Sequence, residues 1–211
     1  DAGVFATNTA TTTNVHSRGS HSIQRSDRKF LTILGFVTNK TSIYDPITNT
    51  FTTGPTLASG SANYGSHSIQ RPDGKFLTIN GAGSTITNIY DPIANTFTTG
   101  PNLIDGAHSG SHFLLRPDGK FLIVEANSTA STSVYDPIAN TIATGTPMAP
   151  TTGAGAHSLL RPDGKFLVIH GNGGATTTIY DPVSFAILSG PTTTASVSNG
   201  GHSLQRPDGK F

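Results

Sequence analysis

A unit of about 45 residues recurs along this chain, and that recurrence limits the fold more than any single residue does. Its clearest marker is His-Ser-Ile/Leu-Gln/Leu-Arg-Pro-Asp-Gly-Lys-Phe. The marker begins at His21 in a degraded form, then at His67, His112, His157 and His202, with intervals of 46, 45, 45 and 45 residues. A second marker, Ile/Val-Tyr-Asp-Pro, follows the first four at Tyr44, Tyr90, Tyr135 and Tyr180. A fixed period of this length belongs to a propeller, solenoid or array. One unit cannot bury its own apolar face and must stack on its neighbours.

Within a unit the pattern reads as four short strands. In the second repeat these are Ser66–Arg71, Lys75–Asn80, Ile86–Tyr90 and Thr96–Thr99. Pro72 presets φ at the first central position of the Arg71-Pro72-Asp73-Gly74 turn. Gly74 supplies the left-handed residue that a bulged hairpin needs. The strands are rich in Thr, Ile, Val and Phe, and Gly or Pro interrupts them every few residues, which argues against a helical repeat. Four strands in about 45 residues make one propeller blade. A β-helix is the alternative, although its repeats are shorter. The predicted fold is an all-β propeller of five blades, the fifth incomplete.

The residues His157-Ser158, Pro162-Asp163-Gly164-Lys165, the strand Phe166–Ile169 ending near Gly171, and Tyr180-Asp181-Pro182 together resemble the Kelch-type repeat, especially the propeller of the galactose-oxidase group. The resemblance covers essentially the whole chain and implies a fold more than an activity. Two departures stand out. The glycine pair is reduced to Gly-x-Gly or lost, and the tryptophan expected after Tyr-Asp-Pro is Phe51, Phe97, Ile142 or Ile187. The copper site of the oxidase uses a Tyr–Cys crosslink, and this chain has no cysteine.

The spacing divides the chain into full repeats at 21–66, 67–111, 112–156 and 157–201. Residues 1–20 and 202–211 are expected to contribute the last and first strands of a closing blade. Val4-Phe5-Ala6-Thr7 matches Thr50-Phe51-Thr52-Thr53 as a fourth strand. Either the natural chain is longer, or a partner strand completes that blade.

Composition narrows function. Charged residues are 12% of the chain and the net charge is +1, so nothing favours nucleic acid or an acidic partner. No apolar run reaches the length of a membrane span. A neutral surface rich in Thr, Ser, Asn and Gly fits an extracellular or cell-surface protein. Asn39-Lys-Thr and Asn127-Ser-Thr are glycosylation-type sequons.

Of twelve carboxylates, nine sit in the two repeated turns, leaving Asp1, Asp105 and Glu125 as unique. Ten of thirteen basic residues flank the Asp-Gly turn, leaving Arg18, Arg28 and Lys40. Catalysis needs an asymmetric set of groups, so the expectation is no enzyme and no cofactor. The marker histidines share strand faces with apolar residues and are expected to pack between blades as neutral rings bonded to Ser or backbone, without metal.

Function must then lie where repeats differ. The 1–2 and 3–4 turns share one face of the disc and are nearly constant. The other face varies. Before each first strand stand Ser17-Arg18, Asn63-Tyr64, His108-Ser109, Gly153-Ala154 and Ser198-Asn199. At the end of each second strand stand Leu34, Asn80, Glu125 and His170. The candidate ligand-binding set is Arg18, Asn63, Tyr64, Asn80, His108, Glu125, His170 and Asn199. The leading expectation is a self-associating extracellular scaffold, forming a filament or ring. A lectin-like glycan-binding propeller and a propeller fragment of a larger secreted enzyme are the alternatives.

Overall fold

The computed structural model describes residues 18–126, 129–199 and 201–203. Among them sixteen strands form four antiparallel sheets of four. The first blade holds β1 (His21–Gln24), β2 (Phe30–Ile33), β3 (Thr41–Asp45) and β4 (Thr50–Thr53). The second holds β5 (His67–Gln70), β6 (Phe76–Ile79), β7 (Thr87–Asp91) and β8 (Thr96–Thr99). The third holds β9 (His112–Leu115), β10 (Phe121–Val124), β11 (Thr132–Asp136) and β12 (Thr141–Thr144). The fourth holds β13 (His157–Leu160), β14 (Phe166–Ile169), β15 (Thr177–Tyr180) and β16 (Ile187–Ser189). Strands pair in sequence order within each sheet, as a blade meander requires. The expected strands of a closing blade, at Phe5 and beyond Ser203, lie outside the described residues.

Burial explains the blade order. The second strand of the second and third blades is buried along its whole length, whereas β4, β8 and β12 are mostly exposed. The apolar core lies between blades. Leu77, Ile79 and Ile89 of the second blade pack with Phe121, Ile123 and Tyr135 of the third. Equivalent clusters join Ile23, Leu31 and Ile33 to Phe76 and Tyr90, and Leu114, Leu122 and Val124 to Val168 and Tyr180. Each fully buried Leu or Ile contributes about 1.5–3 kcal/mol, so the stabilisation belongs to the joints as much as to the blades.

The turn between first and second strands forms as the sequence predicts. Gly74 has φ +80°, the Arg71 N–H donates to the Lys75 carbonyl (2.8 Å) and the Gly74 N–H to the Arg71 carbonyl (3.0 Å). In the degraded first repeat Arg28 takes the glycine position at φ 65°. Lys75 then pairs with Asp91 at 2.9 Å, and Lys29–Asp45, Lys120–Asp136 and Lys165–Asp181 repeat the contact. These pairs tie the two turns of a blade together and fix them on one face.

The arginine of the same turn reaches the next blade, which spacing did not reveal. Arg25 donates to Tyr90 Oη and Asn95 Oδ1, both at 2.6 Å. Arg71 donates to Asn140 Oδ1 and the Pro137 carbonyl, both at 3.0 Å. In the fourth blade the asparagine is replaced by Phe185, and Arg116 stacks on that ring at 3.9 Å.

Around the axis the blades meet at glycine. Gly19, Gly65, Gly110 and Gly155 all have positive φ. A Cβ there would lie 1.8, 2.1, 2.2 and 1.9 Å from the carbonyl oxygens of Asn63, His108, Gly153 and Ser198, each in the lead-in of the next blade. Only glycine permits that approach.

Candidate functional site

The marker histidines lie beside these glycines and form a belt around the axis. In His21, His67, His112 and His157, Nδ1 faces the carbonyl of the glycine two residues earlier, at 2.7–3.1 Å. A carbonyl only accepts, so Nδ1 carries the proton and Nε2 of the neutral ring accepts. Ser68, Ser158 and Ser203 of the following repeat donate to Nε2 of His21, His112 and His157 at 2.7, 2.5 and 2.8 Å. At the third repeat the serine is Phe113. His67 Nε2 is buried without a partner there, and its ring meets the Phe113 ring at 4.4 Å between centroids. Burial drives the pKa of His67 down to about 3 and that of His112 to about 4, and lowers that of His21. These histidines are joints between blades.

Above the belt, on the variable face, the first-strand lead-ins surround a cavity of about 690 Å³. Arg18, Tyr64, Ser109, Ala154 and Asn199 line it, one from each of five successive repeats, together with the axial glycines. Five lead-ins therefore encircle one axis. Among the described residues, the lining carries one cation, a phenol, a hydroxyl and an amide, and no carboxylate or imidazole.

The other candidate residues lie elsewhere. Asn63 Oδ1 accepts from the Tyr64 N–H at 2.8 Å and holds the lead-in rather than the cavity wall. The His108 ring stands 6.2 Å from the Tyr64 ring and packs over Gly83. Asn80, Glu125 and His170 are buried below the variable face. Backbone pairing does bring the two variable sets together: the Asn63, His108 and Gly153 N–H groups donate to the carbonyls of Asn80, Glu125 and His170 at 2.9–3.0 Å.

Asn80, Glu125 and His170 occupy one recurring slot, closed by the connection from the preceding blade and by the second residue of the third strand. In the second blade Asn80 and Asn88 bond each other at 2.9 Å, and both donate to the Ser59 carbonyl at 3.0 Å. In the fourth, His170 bonds the Thr151 carbonyl and Thr178 Oγ1 at 3.2 and 3.1 Å. In the third, Ser133 donates to Glu125 Oε1 at 2.5 Å while Glu125 Oε2 is buried with no partner. Burial, with the Asp105 carboxylate adding a smaller repulsion, raises the Glu125 pKa.

Scanned against protein-family models, the chain matches none, and no curated protein matches it. Solved structures do match, 308 chains in all. One is a novel fungal alcohol oxidase of the AA5 family, in complex with copper. It superposes with a TM-score of 0.63 at 18% identity over 85% of this chain and 44% of the oxidase. The chain therefore spans less than half the length of that enzyme. The likeness establishes the Kelch-like propeller fold. It also corrects the expectation that the chain is no enzyme, because the same blade architecture forms part of an oxidase. Repetition among ionisable groups does not exclude catalysis.

The copper site implied by the resemblance does not fit the residues present. The chain lacks cysteine, and among the described residues no three His, Cys, Asp or Glu side chains gather to hold a metal. Nor, among the described residues, is any helix long and apolar enough to cross a membrane.

Proposed function

We propose that this chain is the propeller part of a larger secreted enzyme, and that the axial cavity on its variable face binds a neutral, hydroxyl-rich ligand such as a glycan. The observation that carries this reading is the convergence of Arg18, Tyr64, Ser109 and Asn199 on one cavity. These positions differ from repeat to repeat, while the opposite face barely changes. A volume of about 690 Å³ falls within the roughly 300–1,000 Å³ of small-molecule sites. The lining offers hydroxyl, amide and guanidinium groups that hydrogen-bond hydroxyls, and too little charge to select an ion.

Titration calorimetry with a panel of methyl pyranosides and short oligosaccharides tests the reading. Binding should weaken about tenfold or more in Tyr64→Ala and Asn199→Ala. Affinity for no member of the panel, or affinity untouched by both substitutions, would overturn it. An intact native mass well above 21.9 kDa would support the larger protein.

Self-association is the second reading, and a specific observation favours it. Ile47, Ile93, Ile138 and Val183 are 74–92% exposed at the same turn position of four successive blades. A second copy stacking on the turn face would cover them. Sedimentation of the wild type and of Ile93→Lys tests this, and an unchanged monomer in both would exclude it.

A further inference from the structure

The connection between second and third strands closes with one backbone geometry in successive blades. In the first, the Phe36 N–H donates to the Arg18 carbonyl (3.2 Å) and the Val37 N–H to the Ala62 carbonyl (2.9 Å). In the second, Ala82 and Gly83 donate in the same way to Tyr64 and Ala107, at 2.9 and 2.7 Å. Both pairs are left-handed, with φ of 67° and 59° in the first blade and 55° and 79° in the second. Further along, the carbonyls of Asn39, Thr85, Ala130 and Ala175 accept from the N–H groups of Leu57, Leu103, Met148 and Thr193 at 2.7–2.9 Å. These four positions are therefore equivalent. Each is followed two residues later by the threonine that opens the third strand: Thr41, Thr87, Thr132 or Thr177.

The fold explains the threonine. In every blade it is buried, and its hydroxyl donates to the carbonyl of Pro55, Pro101, Thr146 or Pro191 at 2.5–2.9 Å. The fold does not explain the asparagine. Thr85, Ala130 and Ala175 are half-buried, whereas Asn39 is exposed. Among the described residues, none hydrogen-bonds the Asn39 carboxamide. Its backbone is pinned and its side chain is free. With the structural Thr41 it completes Asn39-Lys40-Thr41, the acceptor pattern for N-linked glycosylation. The other such pattern begins at Asn127, outside the described residues.

We propose that Asn39 carries an N-linked glycan. This rests on the reading of the chain as secreted, and not on what the axial cavity binds. In the transfer, Asn39 Nδ2 bonds C1 of the first sugar of a polyprenyl-diphosphate oligosaccharide. The C1–O bond to the diphosphate breaks, Nδ2 gives up one proton, and polyprenyl diphosphate leaves. Thr41 is 2% exposed with its hydroxyl engaged, so a transferase that reads this hydroxyl acts before the first blade closes. The glycan stands on the connection and outside the axial cavity, whose lining does not include Asn39.

Peptide mass mapping of the protein secreted by its own source, before and after peptide N-glycosidase, tests the proposal. The glycosidase should leave an aspartate at position 39. In a eukaryotic secretory host, Asn39→Gln should lose one glycan relative to the wild type and melt with the deglycosylated wild type, since no hydrogen bond is removed. Given transferase and donor in vitro, the unfolded chain should be modified and the folded chain should not. Secreted protein with a bare Asn39 would overturn the glycan and leave the secreted reading standing. Protein retained inside the cell would sink the secreted reading, and the glycan with it.

Discussion

The two faces of this disc are built from the same repeat, yet they are stabilised differently. The turn face is held by side chains: Lys–Asp pairs within a blade and arginines that reach the next. The variable face is held by backbone: glycines pressed against carbonyls, and N–H groups bonded across blades. Side-chain ties demand the same residues in every repeat. Backbone ties leave most side chains unconstrained, so the variable face can diversify without loss of the fold. That is the physical reason the repeats differ on one face only.

The sharpest way to break the variable face is Gly65→Ala. Its Cβ would meet the His108 carbonyl at 2.1 Å, with no flexible side chain to yield. A loss of roughly 3 kcal/mol or more is expected in chemical unfolding, against little for Gly74→Ala beyond its turn strain. Here Gly74 has open space around it.

A pH titration separates the axis from the turn face. The folded pKa values of His67 and His112 lie below the ordinary 6.5, at about 3 and about 4. The unfolded chain therefore binds protons first. Stability is full above pH 6.5 and falls towards pH 4 by up to about 1.4 kcal/mol per unit per histidine. The aspartates of the turn face, Asp45, Asp91, Asp136 and Asp181, are also depressed, with backbone N–H groups and the paired lysines as main causes. Their support is present above pH 3.8 and lost only below it. Thermal melts should show two steps, and His112→Asn should flatten the first alone.

On the turn face, Arg71→Ala removes two charge-assisted bonds to the next blade and should cost about 2 kcal/mol. A double-mutant cycle with Asn140→Ala would isolate the tie across the joint.

Glu125→Gln tests the slot under the variable face. The raised folded pKa means that ionisation is penalised in the folded state: no penalty below the unfolded value, full penalty above the folded one. The amide should therefore stabilise by about 1 kcal/mol at neutral pH, with the gain vanishing on acidification. The smallest effect belongs to Arg28→Gly, which restores the turn glycine at φ 65° and should add about 0.5–1 kcal/mol in the same unfolding assay.

The blades were legible in the sequence because period, turn chemistry and strand composition all repeat and reinforce each other. Thr96–Thr99 falls where expected to the residue, and the other strands of that repeat within one residue at each end. Topology also indicated that Arg18, Tyr64 and Asn199 face the axis. It did not separate them from Asn80, Glu125 and His170. One residue past the end of a strand decides whether a side chain enters the cavity or the blade, and spacing alone does not carry that direction. The Arg25–Asn95 tie was hidden for another reason: it joins residues 70 apart in different repeats, so no local pattern records it. Phe36–Val37 did leave a trace, since the first repeat breaks the Gly-x-Gly rule at that point. The departure was visible, but the left-handed backbone it occupies was not.

The belt of histidines makes the joints of this ring unequal in kind. Three are closed by a Ser-to-His hydrogen bond, and the one between second and third blades by the contact of His67 with Phe113. Apolar contact weakens on cooling, whereas hydrogen bonds do not share that dependence. At the belt, therefore, the contact between the second and third blades is the one whose strength follows the temperature dependence of apolar burial.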